Sequence, residues 1–219
     1  MMKPQSAIVF SGGYGHPFEQ STEAIAAIVS AKGIAVSIET DLDKVLGGLA
    51  QNQLLIVNAL YWSMMQDEKY EPHRDEWAFR LQADQLATIQ EFVEQGGGLF
   101  ALHTAAICFD TQPGWLDLLG GGWRWNRSWH PPLAMVKVEL VNLPNHPFDI
   151  IDECYHNLDP APDARVWATC AISDGPQPVA WTRHVGVGRV AVNTLGHDAR
   201  SINTAGHRQL IAAMFDWLL

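Results

Sequence analysis

The stretch Gly96-Gly97-Gly98-Leu99-Phe100-Ala101-Leu102-His103-Thr104-Ala105-Ala106 decides the fold. The glycine run ends the helical pattern that precedes it, and four consecutive apolar residues then read as a strand covered on both faces. His103 follows at once, with Ala101 and Ala105 two positions to either side. Small residues at those places suit a sharp strand-to-helix elbow, where larger side chains would clash across the turn. An elbow that carries a nucleophile has Ser or Cys at its centre. With His103 there, acyl transfer through a Ser or Cys at that point is excluded. A histidine that only caps the next helix is the plainer reading, but the shape of an elbow turns its central side chain toward a cleft.

Working outward, the same alternation recurs. Ala7-Ile8-Val9-Phe10 predicts a strand feeding the Gly-rich turn Ser11-Gly12-Gly13-Tyr14-Gly15-His16. Residues 19–31 carry helical apolar spacing and stop at Lys32-Gly33. A second strand over 34–38, a short helix over 41–49 and the apolar run Leu54-Leu55-Ile56-Val57 follow. A helix over 82–95 then leads into the elbow strand. The order β-α-β-α-β-loop-α-β predicts a doubly wound, mostly parallel sheet with helices on both faces. Further strands are expected over 133–141 and 165–172, a hairpin around Gly186-Val187-Gly188, and a closing helix over 205–219. No repeat, linker or low-complexity tract divides the 219 residues, so residues 1–219 are expected to form one domain.

Composition narrows the function. With 47% hydrophobic and 17% charged residues the chain has ample material for a packed core. A net charge of −10 argues against binding to nucleic acid or to an anionic membrane. The three cysteines, Cys108, Cys154 and Cys170, are too few and too scattered for a disulfide framework, and read as small buried hydrophobes in a reducing compartment. The opening Met1-Met2-Lys3-Pro4-Gln5-Ser6 runs straight into a strand, with no export signal and no membrane span. A cytoplasmic protein is expected.

Ligands of open parallel sheets sit beyond the carboxyl ends of the strands. The loops at Gly12 to His16, at Tyr61 onward and at His103 onward are therefore the candidates. The irregular, aromatic segment 61–79, with Trp62 and Trp77, is long for an idle connection. It suits a lid over the site or a contact in a homo-oligomer. Glu153 and Tyr155 flank Cys154, and strand alternation puts them on one face with Asp152 and Cys154 on the other. A carboxylate beside a phenol suits proton transfer or metal ligation, although a surface acidic cluster would look the same. His197 ends the strand over 189–195, and Asp198 beside it either orients the imidazole or turns the chain.

Trp123-Arg124-Trp125-Asn126-Arg127-Ser128-Trp129-His130 concentrates three of the nine tryptophans. Aromatic faces stack on sugar rings while Arg and Asn bind hydroxyls, so the segment reads either as a sugar platform or as a loop pinned by aromatic burial. His16, His103, His130, Glu153 and His197 could converge on a divalent metal such as zinc or manganese, but no HExxH or His-x-His spacing fixes one. His73, His184 and His207 read as ordinary surface or hydrogen-bonded residues, and His146 as a turn residue before Pro147. The Gly12 to Gly15 loop lacks a P-loop lysine and a GxGxxG, so no nucleotide is expected.

Taken in order, the Gly-rich loop ending at His16, the elbow at His103, Leu119-Gly120-Gly121, His130-Pro131, His146-Pro147, Asp152-Glu153-Cys154-Tyr155, Pro178-Val179-Ala180-Trp181, Gly188-Arg189-Val190 and Gly196-His197-Asp198 resemble the ThuA-like (trehalose utilisation) family. This is a branch of the class I glutamine amidotransferase-like superfamily. Each piece is weak alone, and the ordered set is specific. The resemblance implies a flavodoxin-like α/β core with His103 at the amidotransferase cysteine position, and an association with disaccharide and keto-sugar catabolism. It also places His130 near the pocket. Thr104 stands where relatives often have Ser, which retains a hydroxyl.

The expected function is therefore an enzyme acting on a small-molecule disaccharide or keto-sugar derivative. His103, Glu153 and His197 would carry acid–base or metal-assisted chemistry, and His16, Trp62, His130, Tyr155 and Asp198 would hold substrate. The rival is a non-catalytic sugar-binding or regulatory protein on the same scaffold. A working amidotransferase would need a thiolate at the elbow, and Cys108 lies five residues past it.

Overall fold

A computed structural model describes residues 5–141, 143, 146–171 and 175–219 of the chain. Met1 to Pro4, and Ile172 at the end of the strand expected over 165–172, lie outside the described residues. The elements are β1 (Ser6–Gly13), α1 (Phe18–Ser30), β2 (Ala35–Glu39), α2 (Leu42–Gly48), β3 (Leu54–Leu60), α3 (Arg74–Trp77), α4 (Ala83–Glu94) and β4 (Gly98–Leu102). They continue with α5 (Pro113–Leu119), β5 (Ala134–Leu140), β6 (Phe148–Asp152), β7 (Arg165–Ala171), β8 (Gln177–Val185), β9 (Gly188–Asn193), α6 (Ala199–Asn203) and α7 (Ala205–Leu218). Single 3-10 turns follow β4 and lie within the segment 61–79.

The sheet has the order β2-β1-β3-β4-β9-β8-β7-β5-β6 among the described residues. Pairing is parallel from β2 through β9, as the βα alternation predicts, and antiparallel from β9 through β6. The sheet is therefore mixed, not mostly parallel. Its second half is built by short reversals such as the β8–β9 hairpin, which need no crossover helix. That hairpin turns at Gly186 (φ 59°), and a Cβ on Gly188 would overlap the Val93 carbonyl of α4.

Alternate residues of the central strands enter different cores. Val9, Ile56, Phe100 and Leu102 pack on α1 and α7, while Phe10, Val57, Leu99 and Ala101 pack on α2, α4 and α5. Helices thus cover both faces. α7 buries Leu210, Ile211, Met214, Phe215 and Leu218, with the Phe215 ring 4.5 Å from that of Phe100.

Although β6 stands four strands from β9, it packs against α6 and α7, so the antiparallel half curls around the C-terminal helices. Ile150 of β6 and Val136 of β5 join the same core as α7. Following the pairings from β9, β6 runs in the direction of β9 and of the parallel strands. Its carboxyl end arrives at the same edge as those of β1, β3, β4 and β9. The reading of the sequence does not anticipate β6 or α5, each too short to show a period. In β6 the inward positions are Ile150 and Asp152, and a buried carboxylate breaks the apolar alternation.

Candidate active site

His103 sits at the turn after β4 with φ 48°, a left-handed conformation uncommon outside glycine, although His is among the residues that adopt it more readily. Its surroundings hold it there. Ala105 and Ala106 are fully buried, the Thr104 hydroxyl donates to the Ala59 carbonyl at 2.8 Å, and the Trp115 indole donates to the Ala105 carbonyl at 2.9 Å. The His103 Nδ1–H donates to the Thr194 carbonyl at 2.8 Å. This fixes the ring so that Nε2 faces the cleft, where the Tyr155 hydroxyl lies 3.1 Å away.

Glu153 leaves the end of β6 and reaches into the middle of the histidines. Its Oε2 is 3.5 Å from His103 Nε2 and 3.6 Å from His197 Nδ1, and its Oε1 is 3.6 Å from His130 Nδ1. Burial alone would raise this carboxyl, but contact with His103 and His197 and the charges of His103 and His130 hold it well below the usual carboxylate range. It is therefore a fixed negative charge and a poor proton acceptor. Its position is set by Asp152, which is fully buried and accepts from the backbone N–H of Glu153 (2.8 Å), of Gly196 (2.7 Å) and of His197 (3.4 Å), and from the Ser201 hydroxyl. One carboxylate thus joins the end of β6 to the loop after β9.

His16 arrives from the loop after β1, whose Gly13 (φ 110°) lies so close to Leu60 that a Cβ there would overlap the Leu60 backbone. The His16 ring centroid is 4.9 Å from that of His197 and 5.3 Å from that of His103. Burial first, then the neighbouring His103 and His197, push the His16 pKa down to about 3, so the ring is neutral. His197 is moved the other way, raised by the Glu153 carboxylate beside it against the effect of burial. Burial pushes the Tyr155 phenol well up, with the Glu153 charge adding to it, so the phenol keeps its proton and acts as a donor.

One donor atom each of His16, His103, Glu153 and His197 lies within 4.8 Å of the others, a group that could hold a metal ion. Above this floor the cleft opens into a cavity of about 270 Å³ walled by Tyr14, Trp62, Tyr70, Trp123 and Trp125. The indole N–H groups of Trp62, Trp123 and Trp125 are buried with no hydrogen-bond partner among the described residues.

Most of the residues read from the sequence converge. His16, Trp62, His130, Glu153, Tyr155 and His197 line this cavity and His103 lies beneath it, while the segment 61–79 forms a wall through Trp62 and Tyr70. Asp198 does not join them. Its side chain caps α6, accepting from the backbone N–H of Arg200 and Ser201 and pairing with the Arg200 guanidinium, so its hydrogen bonds go to the helix and not to the His197 ring. The tryptophan-rich segment divides: Trp123 and Trp125 line the cavity, whereas Trp129 stacks on His156 at 3.9 Å, and Arg124 and Arg127 pair with Asp159. Asp152 and the Thr194 carbonyl position the site without being read as part of it. Asp152 is visible only as a second acid next to Glu153, and a carbonyl leaves no mark in sequence.

A family model described as "Trehalose utilisation" (ThuA) matches residues 6–218, nearly the entire chain. The chain belongs to the ThuA family. A ThuA-like protein from Parabacteroides merdae has the same fold with TM-score 0.77 at 15% identity, over 99% of this chain and 90% of that one. A ThuA-like protein from Bacteroides uniformis aligns with TM-score 0.71 at 18% identity, over 100% of this chain and 93% of that one. The fold also recurs within a larger enzyme, a β-galactosidase from Rahnella sp. R3, with TM-score 0.63 and 17% identity over 98% of this chain but 31% of that one. No curated protein shows significant similarity to the chain. ThuA membership gives the chain a sugar-related role. No helix among the described residues is long and apolar enough to cross a membrane.

Proposed function

We propose that this ThuA protein is an enzyme acting on a disaccharide or keto-sugar derivative, on a flavodoxin-like scaffold of the glutamine amidotransferase type. The observation that carries the proposal is the Glu153 carboxyl held among His103, His130 and His197 at the floor of an aromatic-walled cavity. Tryptophan and tyrosine faces in the cavity wall suit the C–H faces of a sugar ring. His103, Glu153 and His197 act on a carbonyl or hydroxyl of the substrate, with His16, Trp62, His130 and Tyr155 holding it. Amidotransfer is not part of this reading. The Cys108 thiol is fully buried, donates to the Ala59 carbonyl, and is pushed up to about 12 by burial, the reverse of an activated nucleophile.

The test is turnover and binding of candidate disaccharides and their keto derivatives by the native protein and by His103→Asn, since Asn tolerates the left-handed backbone at that position. The expected result is sugar binding by both and turnover by the native protein alone, with loss of roughly 100-fold or more in the variant. Binding without turnover by either protein would favour the sugar-binding rival. No binding of any candidate sugar would overturn the proposal.

A further inference from the structure

The Glu153 carboxylate is too far from its histidines to be explained by hydrogen bonding. Contacts of 3.5 and 3.6 Å to His103 Nε2 and His197 Nδ1 exceed the usual ~2.7–3.2 Å of a charged or neutral N–H···O bond. Buried groups this close normally tighten onto each other or onto water. Two ring nitrogens of the cluster, His16 Nε2 and His197 Nδ1, are buried with no hydrogen-bond partner. Unbound nitrogens turned into a shared space around an anion describe a set of ligands waiting for a cation.

The geometry points to a divalent transition-metal site made by His16, His103, Glu153 and His197, taking zinc or a neighbour of similar preference. It deepens the sugar-enzyme reading and rests on it for the substrate. Donors around a tetrahedral ion with bonds of ~2.0–2.1 Å stand ~3.3–3.4 Å apart, so the 3.5 and 3.6 Å separations need to close by a few tenths of an ångström, and the widest in the set, within 4.8 Å, by up to roughly 1.4 Å. Three imidazoles and one carboxylate are borderline ligands that favour zinc over calcium or magnesium.

The supporting contacts fit as well. The Nδ1–H of His103 is committed to the Thr194 carbonyl, the usual outer-shell arrangement of a ligating histidine, and the Nε2 lone pair, which accepts from the Tyr155 hydroxyl at 3.1 Å, is the one an ion would take over from that phenol. Asp152 fixes the backbone of Glu153 and His197 together. His130 stands outside the set, on the other carboxylate oxygen, with its Nδ1 also 2.9 Å from the Pro131 carbonyl. An ion here takes His103 and His197 out of proton transfer and leaves that task to Tyr155 and His130, which border the cavity.

The experiment is calorimetric titration of zinc into untagged, chelator-stripped protein, repeated with cobalt(II) to read the visible spectrum of the bound ion. One equivalent is expected to bind, with a four- or five-coordinate cobalt spectrum, and His16→Gln and His197→Gln are each expected to weaken zinc roughly 100-fold, the upper end of effects known for outer-shell changes. His184→Gln, a surface control, should leave zinc affinity unchanged. His16→Gln carries the test if His197→Gln does not fold. Absence of saturable one-to-one binding, or unchanged affinity in both variants, overturns the inference. One-to-one zinc binding lost in those variants, with no sugar bound or turned over, keeps the metal site and removes the sugar reading.

Discussion

Replacing Asp152 with Asn tests how the site is held together. The native carboxylate accepts on both oxygens, Oδ1 from the Glu153 and His197 N–H groups and Oδ2 from the Gly196 N–H and the Ser201 hydroxyl. An asparagine in the same place can turn its oxygen to one side only. Its NH₂ then meets a backbone N–H head-on, either that of Glu153 or that of Gly196. A stranded buried donor costs about 1–3 kcal/mol, and reducing the surviving bonds from charged to neutral costs about 1 kcal/mol more. The expected loss is about 3 kcal/mol. For a domain of this length each kcal/mol moves Tm by roughly 2–4 °C, so Asp152→Asn should melt roughly 6–12 °C below the native protein. Ser201→Ala, which removes one hydroxyl donor to the carboxylate and strands nothing, should cost about 2 kcal/mol. The assay is thermal and urea unfolding followed by circular dichroism, with zinc affinity measured beside it. A Tm for Asp152→Asn within 2 °C of native would refute the argument that this carboxylate ties β6 to the loop after β9.

Three further outcomes are expected. Burial lowers the pKa of His207, whose Nε2 accepts from Asn193 and whose Nδ1 donates to the Ser201 carbonyl. The unfolded chain therefore takes up a proton near pH 6.5 that the native protein refuses. Stability is complete above that pH and falls below it toward the lowered native pKa, by at most about 1.4 kcal/mol per pH unit for this group. His207→Gln should flatten that slope in urea melts run from pH 7.5 to 5, and an unchanged slope would count against it. Phe215→Ala empties a fully buried site against Phe100 and should destabilise by about 3–5 kcal/mol in the same unfolding assay. Trp125→Ala removes a cavity wall that stacks on Trp62 at 6.2 Å, and should weaken sugar binding in calorimetry roughly tenfold while leaving zinc affinity unchanged.

The elbow was legible because its signal is local: an apolar strand, small residues on both sides, and a polar side chain between them. The structure puts His103 at φ 48° with neighbours that leave no room for larger ones. Asp198 shows the opposite case. Its place beside His197 suggested a partner, yet an aspartate directly before a helical segment is also a strongly preferred helix cap, and the cap is what its hydrogen bonds make. The pairing of Arg124 and Arg127 is not legible locally either, because Asp159, their partner, is 32 residues from Arg127.

What no local pattern carries is the convergence itself. His16, His103 and His197 follow strands of the parallel half, so the rule that sites form at carboxyl ends brings them to one edge. Glu153 follows a strand four places beyond β9, and in a flat sheet, at roughly 4.8 Å per strand, it would stand about 20 Å away. It reaches the histidines only because the antiparallel half curls over α6 and α7. The bond that secures the curl, from the Gly196 N–H to Asp152, joins residues 44 apart in the chain. The inward face of β6 shows why this was hard to see: the same Asp152 that makes β6 unreadable as a strand is the group that brings the Glu153 carboxylate to its place.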